Sequence, residues 1–75
     1  MPSRKIKNNI KDLRLQNQRM SQALLAEKVN LSRQTISAIE SGKNTPNLLI
    51  AMQLAEVFDK KIEEVFFWSN QKKVE

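Results

Sequence analysis

Two serines, Ser21 and Ser32, each precede a run of helix formers, and between the two runs lies only the short turn Val29 to Ser32. A hydroxyl in that position accepts from backbone N–H groups of the first helical turn that have no intrahelical partner, so each serine marks a helix start. The first run, Gln22 to Lys28, is built of strong helix formers and should end near Val29. Asn30 then stands where a helix end requires positive φ, which asparagine tolerates best after glycine. Leu31 can fold back onto a core, and the second run closes at the only glycine of the chain, Gly42. Residues 20–42 are therefore two short helices held at a fixed angle by a tight turn.

At 100° per residue, Ser32, Thr35, Ile36, Ile39 and Glu40 fall on one side of the second helix, the only side with an apolar stripe. Arg33, Gln34, Ser37, Ala38 and Ser41 fall on the other. That outer side has two long hydrogen-bonding side chains at its N-terminal end, followed by residues too small to hold the helix away from a surface. An Arg-Gln pair alone is ordinary on a solvated helix. Combined with the turn, the caps and the small residues, it suits the DNA major groove: arginine matches guanine O6/N7, glutamine matches adenine N6/N7, and the methyl groups of Thr35 or Ala38 can meet a thymine methyl.

These residues resemble the helix-turn-helix of the Xre/Cro/cI family of phage-repressor-like regulators, over about residues 9 to 66. The matching pieces are IKDLR (10–14), MSQALLAEKV (20–29), LSRQTISAIESGK (31–43), Pro46 with its following helix, and IEEVF (62–66). The resemblance implies an all-α fold, a five-helix lambda-repressor-like DNA-binding domain, in a compact single-domain member spanning 1–75. It places the helix-turn-helix at 21–41 and the recognition helix at 32–41; beyond the stretch of resemblance, a disordered C-terminal tail is expected at 69–75. It also implies base contacts from Arg33, Gln34, Ser37 and Ala38, and phosphate contacts from Gln22, Ser32, Lys43 and Asn44, with Thr35 beside the cap joining the phosphate set. Arg14 and Glu40 resemble the family's structural salt bridge between the first and third helices.

The chain departs from the family pattern twice. It has one residue more than the commonest spacing between Arg14 and Gln22, with Arg19 where a glycine often ends the first helix, so the loop at 16–20 should differ. Ala38 replaces a longer side chain, which leaves base readout mainly to Arg33 and Gln34.

Composition narrows the function classes. The chain has 75 residues, 40% of them hydrophobic, which gives room for one small core. It has no cysteine and no histidine, so disulfides, thiolate metal sites and the usual general base are missing. An enzyme is not expected, nor any metal or cofactor. The N-terminus MPSRKIKNN lacks the apolar region of a signal peptide, and no stretch approaches the ~20 apolar residues that span a bilayer. A cytoplasmic protein without membrane contact is the expectation. Residues 1–45 hold nine Lys/Arg against three acids, net +6, whereas residues 46–75 hold four against five, net −1. The positive field thus belongs to the half with the outward-facing Arg33, as phosphate neutralisation requires.

The remaining segments supply a scaffold. Asn8 or Asn9 can cap a first helix that carries Ile10, Leu13 and the buried end of Arg14 and stops near Gln18. Asn47 can cap a fourth, where Leu48, Ala51, Leu54, Ala55 and Phe58 recur at helical spacing and face the core. Asp59 takes the place of a glycine that often ends this helix, and Ile62, Val65 and Phe66 form the inward face of a short fifth one. An apolar surplus is left over: Leu49, Met52, Phe67 and Trp68. Two readings account for it. SRKIK (3–7) alternates like a strand and can pair with FFWSN (66–70) in a short antiparallel ribbon that fixes Trp68. The fourth and fifth helices can offer Leu49, Met52 and Phe67 to a second copy, since a small monomer rarely exposes such a patch.

The expected function is a homodimeric repressor that reads a near-palindromic operator in double-stranded DNA. An antitoxin that binds a protein toxin through the apolar patch as well as DNA is the alternative; co-purification of a small partner would favour it.

Overall fold

The computed structural model describes residues 5–69. In chain order they form β1 (Ile6–Asn8), α1 (Ile10–Gln16), α2 (Gln22–Lys28), α3 (Arg33–Glu40), α4 (Leu48–Val57), α5 (Ile62–Val65) and β2 (Phe66–Trp68). Five helices and a two-stranded ribbon match the expected fold class. Residues 70–75 of the expected tail lie outside the described residues.

Three side-chain caps set the helix starts. Ser21 Oγ accepts from Leu24 N–H at 3.0 Å, Ser32 Oγ from Thr35 N–H at 3.1 Å and Asn47 Oδ1 from Ile50 N–H at 2.9 Å. Each is worth about 1 kcal/mol. At α1 the work is divided. Asn9 occupies the cap position, but its side chain makes no capping bond, and it is Asn8 Oδ1 that accepts from Ile10 N–H at 3.1 Å. Asn9 instead donates its amide to Glu64 C=O at 3.0 Å and its backbone N–H to Val65 C=O at 3.2 Å, tying α1 to α5.

The helix ends show which backbone positions need a left-handed residue. Asn30 (φ 58°) and Asp59 (φ 53°) adopt that conformation, as the sequence requires, and so does Gly42 (φ 82°). The end of α1 differs from expectation. It stops at Gln16 rather than Gln18, and the extra loop residue is absorbed by two consecutive left-handed residues, Gln18 and Arg19, both at φ 55°. Their turn delivers Met20 into the core, where its N–H donates to Arg14 C=O at 2.9 Å.

One core joins all five helices. Ile10, Leu25, Ile36, Leu54 and Val65 are fully buried, with Leu13, Met20, Ala26, Val29, Ile39, Ala55 and Phe58 around them. Leu48 is a correction: expected to face the core, it is 68% exposed. Its angle on α4 is that of Ala55, seven residues on, but as the first helical residue it stands at the end of α4, short of the core.

The ribbon is antiparallel, with Ile6 opposite Trp68, Lys7 opposite Phe67 and Asn8 opposite Phe66. Of SRKIK and FFWSN, Ser3, Arg4 and Asn70 lie outside the described residues; Lys5 precedes β1, and its C=O accepts from Ser69 N–H at 2.7 Å. Three residues per strand would not hold alone. Phe66 packs against the core, and Asn8 donates its amide to Ile39 C=O at 2.9 Å, anchoring β1 on the last turn of α3.

Candidate nucleic-acid interface

The geometry of the outward face begins at a buried charge. Arg14 is 7% exposed on α1, and its guanidinium grips Glu40, at the C-terminal end of α3, through both Nε and Nη2, while Nη1 donates to Met20 C=O at 2.8 Å. Two parallel bonds on a carboxylate match the planar fork of arginine. Burying such a pair adds little net stability, because desolvation offsets the attraction. What the pair does is fix position: it locks α3 to α1 and to the loop before α2.

The lock continues outward. Gln22, first residue of α2, donates Nε2–H to Glu40 Oε1 at 3.1 Å, and its Oε1 accepts from Arg33 Nη1 at 3.5 Å. One N–H of the Gln22 amide therefore serves Glu40, which leaves the second directed elsewhere, since a primary amide carries two. Arg14, Glu40, Gln22 and Arg33 form a continuous polar chain from the buried side of α1 to the exposed start of α3.

Beside it, the Ser32 and Thr35 hydroxyls lie 2.8 Å apart, so the cap of α3 and the first turn of its outer face are hydrogen-bonded together. Arg33 and Gln34 are exposed; Ser37 and Ala38 are half-buried. At the far end of α3, Ala38 C=O collects Lys43 N–H at 2.9 Å, Asn44 N–H at 3.1 Å and Ser41 Oγ–H at 3.1 Å. These bonds curl the loop back over α3 and hold Lys43 and Asn44 at a fixed place with their side chains exposed.

The structure thus groups Gln22, Ser32, Arg33 and Thr35 around the start of α3, and Lys43 and Asn44 at its end, with Gln34, Ser37 and Ala38 between. The apolar set divides. Leu49 and Met52 are 64% and 57% exposed on α4, together with Leu48. Leu48 and Met52 line a groove of about 360 Å³ with Ala55, Glu56, Asp59, Lys60 and Ile62. Trp68 lines a different groove, between the ribbon and the α3–α4 loop, and Phe67 is half-buried on the ribbon rather than presented to solvent. Sequence reasoning turned Leu48 inward instead of giving it to the exposed apolar set, and passed over the clamp of Asn8 on Ile39. Only hydropathy signalled the first, and nothing local signals the second, which joins residues 31 positions apart.

Comparison with known proteins decides what kind of molecule carries this face. The sequence profile described as "Helix-turn-helix" matches residues 10–65. The chain belongs to the Xre-type helix-turn-helix family. It is 42% identical over 62 residues to an uncharacterised HTH-type transcriptional regulator of Bacillus subtilis, YgzD, with 83% of this chain and 92% of YgzD covered. It is 45% identical over 51 residues to another such regulator from Methanocaldococcus jannaschii, covering 68% of this chain and 77% of the relative. Among solved structures, a Bacteroides fragilis protein described as a candidate DNA-binding protein superposes with a TM-score of 0.70 at 28% identity, over 81% of this chain and 97% of the other. The family is one of transcriptional regulators, not enzymes, and its membership here points to DNA binding. Among the described residues no helix is long and apolar enough to cross a membrane.

Proposed function

We propose that this protein is a sequence-specific regulator of transcription that binds double-stranded DNA as a homodimer and represses by occupying an operator. The observation that supports this reading best is the polar chain from Arg14 through Glu40 and Gln22 to Arg33. It spends a buried ion pair on the placement of an exposed arginine, and such precision has a use only if Arg33 meets a partner of fixed geometry. Arg33 and Gln34 read base edges, with Ser37 and Ala38 close to the bases. Gln22, Ser32, Thr35, Lys43 and Asn44 hold the sugar-phosphate backbone on either side of α3.

One helix of eight residues covers only a few base pairs, so affinity and specificity call for two copies. Leu48, Leu49 and Met52 supply the apolar surface for the pairing, while Phe67 and Trp68 belong to the ribbon. Two-fold symmetry would then place the two α3 helices in successive major grooves, ~34 Å apart.

Selection from a random duplex pool at physiological salt tests the proposal. Enrichment of a two-fold symmetric motif with half-sites about one helical turn apart is the expected result. An unenriched pool would remove sequence-specific binding and turn attention to a protein ligand of the α4 surface.

A further inference from the structure

The groove between the ribbon and the α3–α4 loop has a volume of about 630 Å³ and is lined by Lys5, Ile6, Lys7, Ser41, Gly42 and Trp68 among others. Ile6 and Trp68, which pair across the strands at 41% and 40% exposure, give it an apolar part, and Lys5 and Lys7 on either side of Ile6 border it with positive charge. Lys5 and Lys7 are both exposed, and no salt bridge engages either among the described residues. Among the described residues, Glu40 is the one carboxylate bordering the groove, and it is committed to Arg14. Ser41 and Gly42 lead directly into Lys43 and Asn44, whose backbone is tied down on Ala38 C=O. The groove is also fixed to α3 itself, since Asn8, which ends β1, bonds Ile39 C=O.

We infer that this groove carries the sugar-phosphate backbone of the same duplex onward from Lys43 and Asn44, with Lys5 and Lys7 neutralising the next phosphates and the ribbon acting as a second wall of the DNA-binding surface. The inference rests on the DNA-binding reading and extends it to a strand outside the helix-turn-helix. Three features favour a nucleic-acid occupant. Neither lysine is salt-bridged to an acid among the described residues, so both offer charge to a polyanion, and Lys7 on β1 and Lys5 just before it are held by the hydrogen-bonded ribbon. The groove is continuous with the loop already assigned to phosphate. A second copy of the chain in the same place is disfavoured, because an isologous contact would set Lys5 and Lys7 against their own equivalents.

The test compares the intact protein with a Lys5→Ala/Lys7→Ala variant on its selected duplex, over a series of salt concentrations, together with phosphate ethylation interference. Each phosphate contact contributes about 0.9 to the slope of log K against log[salt], so losing two should flatten it by about 2. Interference should vanish at the phosphates adjoining those contacted through Lys43, the selected motif should stay the same, and a Lys5→Arg/Lys7→Arg variant should restore the slope. Both side chains are exposed, so equal thermal midpoints would show that the fold is kept. Shielding of Trp68, the single tryptophan, from acrylamide should appear with the intact protein on duplex and weaken in the alanine variant. If the alanine variant bound with unchanged slope and interference, the inference would fall while DNA binding stood; if the intact protein bound no duplex, both would fall.

Discussion

The two halves of the molecule solve different problems with different chemistry. From α1 to the α3–α4 loop, position is set by polar atoms: two serine caps, the Arg14–Glu40 fork, the Gln22 amide and the carbonyl of Ala38. From α4 onward, polar atoms act at the ends, through the Asn47 cap and the bonds of Asn9 to α5, while the helix faces are placed by apolar packing, and on α4 Leu48, Leu49 and Met52 are left uncovered. Hydrogen bonds are directional and fix angles; hydrophobic contact is not and tolerates repacking. A surface that must match base edges needs the first kind of control. A surface that pairs with another apolar surface can do with the second.

The sharpest way to break this contrast is to remove one partner of the buried pair. Arg14→Met should destabilise the fold by about 3–5 kcal/mol, because Glu40 would be left buried without its charge partner. Urea denaturation measures it. Replacing both partners, Arg14→Met with Glu40→Leu, should recover most of that stability and yet bind the selected duplex more weakly than the intact protein, since the anchor of Gln22 is gone. A double variant that kept full affinity would show that the polar chain holds the fold together and does not aim Arg33.

On the other half the expectation is reversed. Leu49→Glu with Met52→Glu should leave the monomer's stability within about 0.5 kcal/mol, as exposed substitutions do. Sedimentation should then show a monomer, and binding to a two-half-site duplex should weaken by a factor on the order of 10²–10⁴, the loss of linked binding. If the variant still sedimented as a dimer, the α4 surface would not be where the copies meet.

How much of this contrast could be read from the sequence depends on how local its causes are. Ser21, Ser32, Asn47, Asn30 and Gly42 act within a few residues of themselves, so the caps, the turn and the helix starts were legible. So was the expectation that FFW pairs with the N-terminal segment, because strand alternation is visible at both ends. The exposure of Leu48 was not, because helical spacing gives the angle of a side chain and says nothing about where along the axis the core stops. The double left-handed turn at Gln18 and Arg19 was half legible: counting residues revealed the extra one but not how the backbone would spend it. Least legible were the contacts of Asn8 with Ile39 and of Gln22 with Arg33, which depend on how separate elements meet.

A smaller effect sharpens the account of the outward face. Gln34→Ala should cost about 1–3 kcal/mol of discrimination at one base position and leave the others unchanged. Lys43→Ala should weaken all sequences alike and flatten the salt slope by about 1. Selecting duplexes with each variant separates the two, and the assignment of Gln34 to a base edge would fail if its loss acted uniformly.

The smallest effects concern backbone conformation, where the two halves offer a matched pair. Gly42→Ala places a side chain at φ 82°, with no atom within 4 Å to clash with it, so its whole cost is conformational, about 1 kcal/mol. Asp59→Gly at φ 53° is the opposite exchange at the end of α4: strain is relieved, and the greater freedom of glycine in the unfolded chain takes back part of the gain, for a net stabilisation of under about 1 kcal/mol. Thermal denaturation should show opposite shifts. Their functional consequences should differ more than their stabilities. The Gly42 turn carries the backbone bonds that hold Lys43 and Asn44, so DNA affinity should fall in Gly42→Ala even when stability is restored by added Asp59→Gly. If the double variant bound duplex like the intact protein, the α3–α4 loop would not need its fixed shape to hold phosphate.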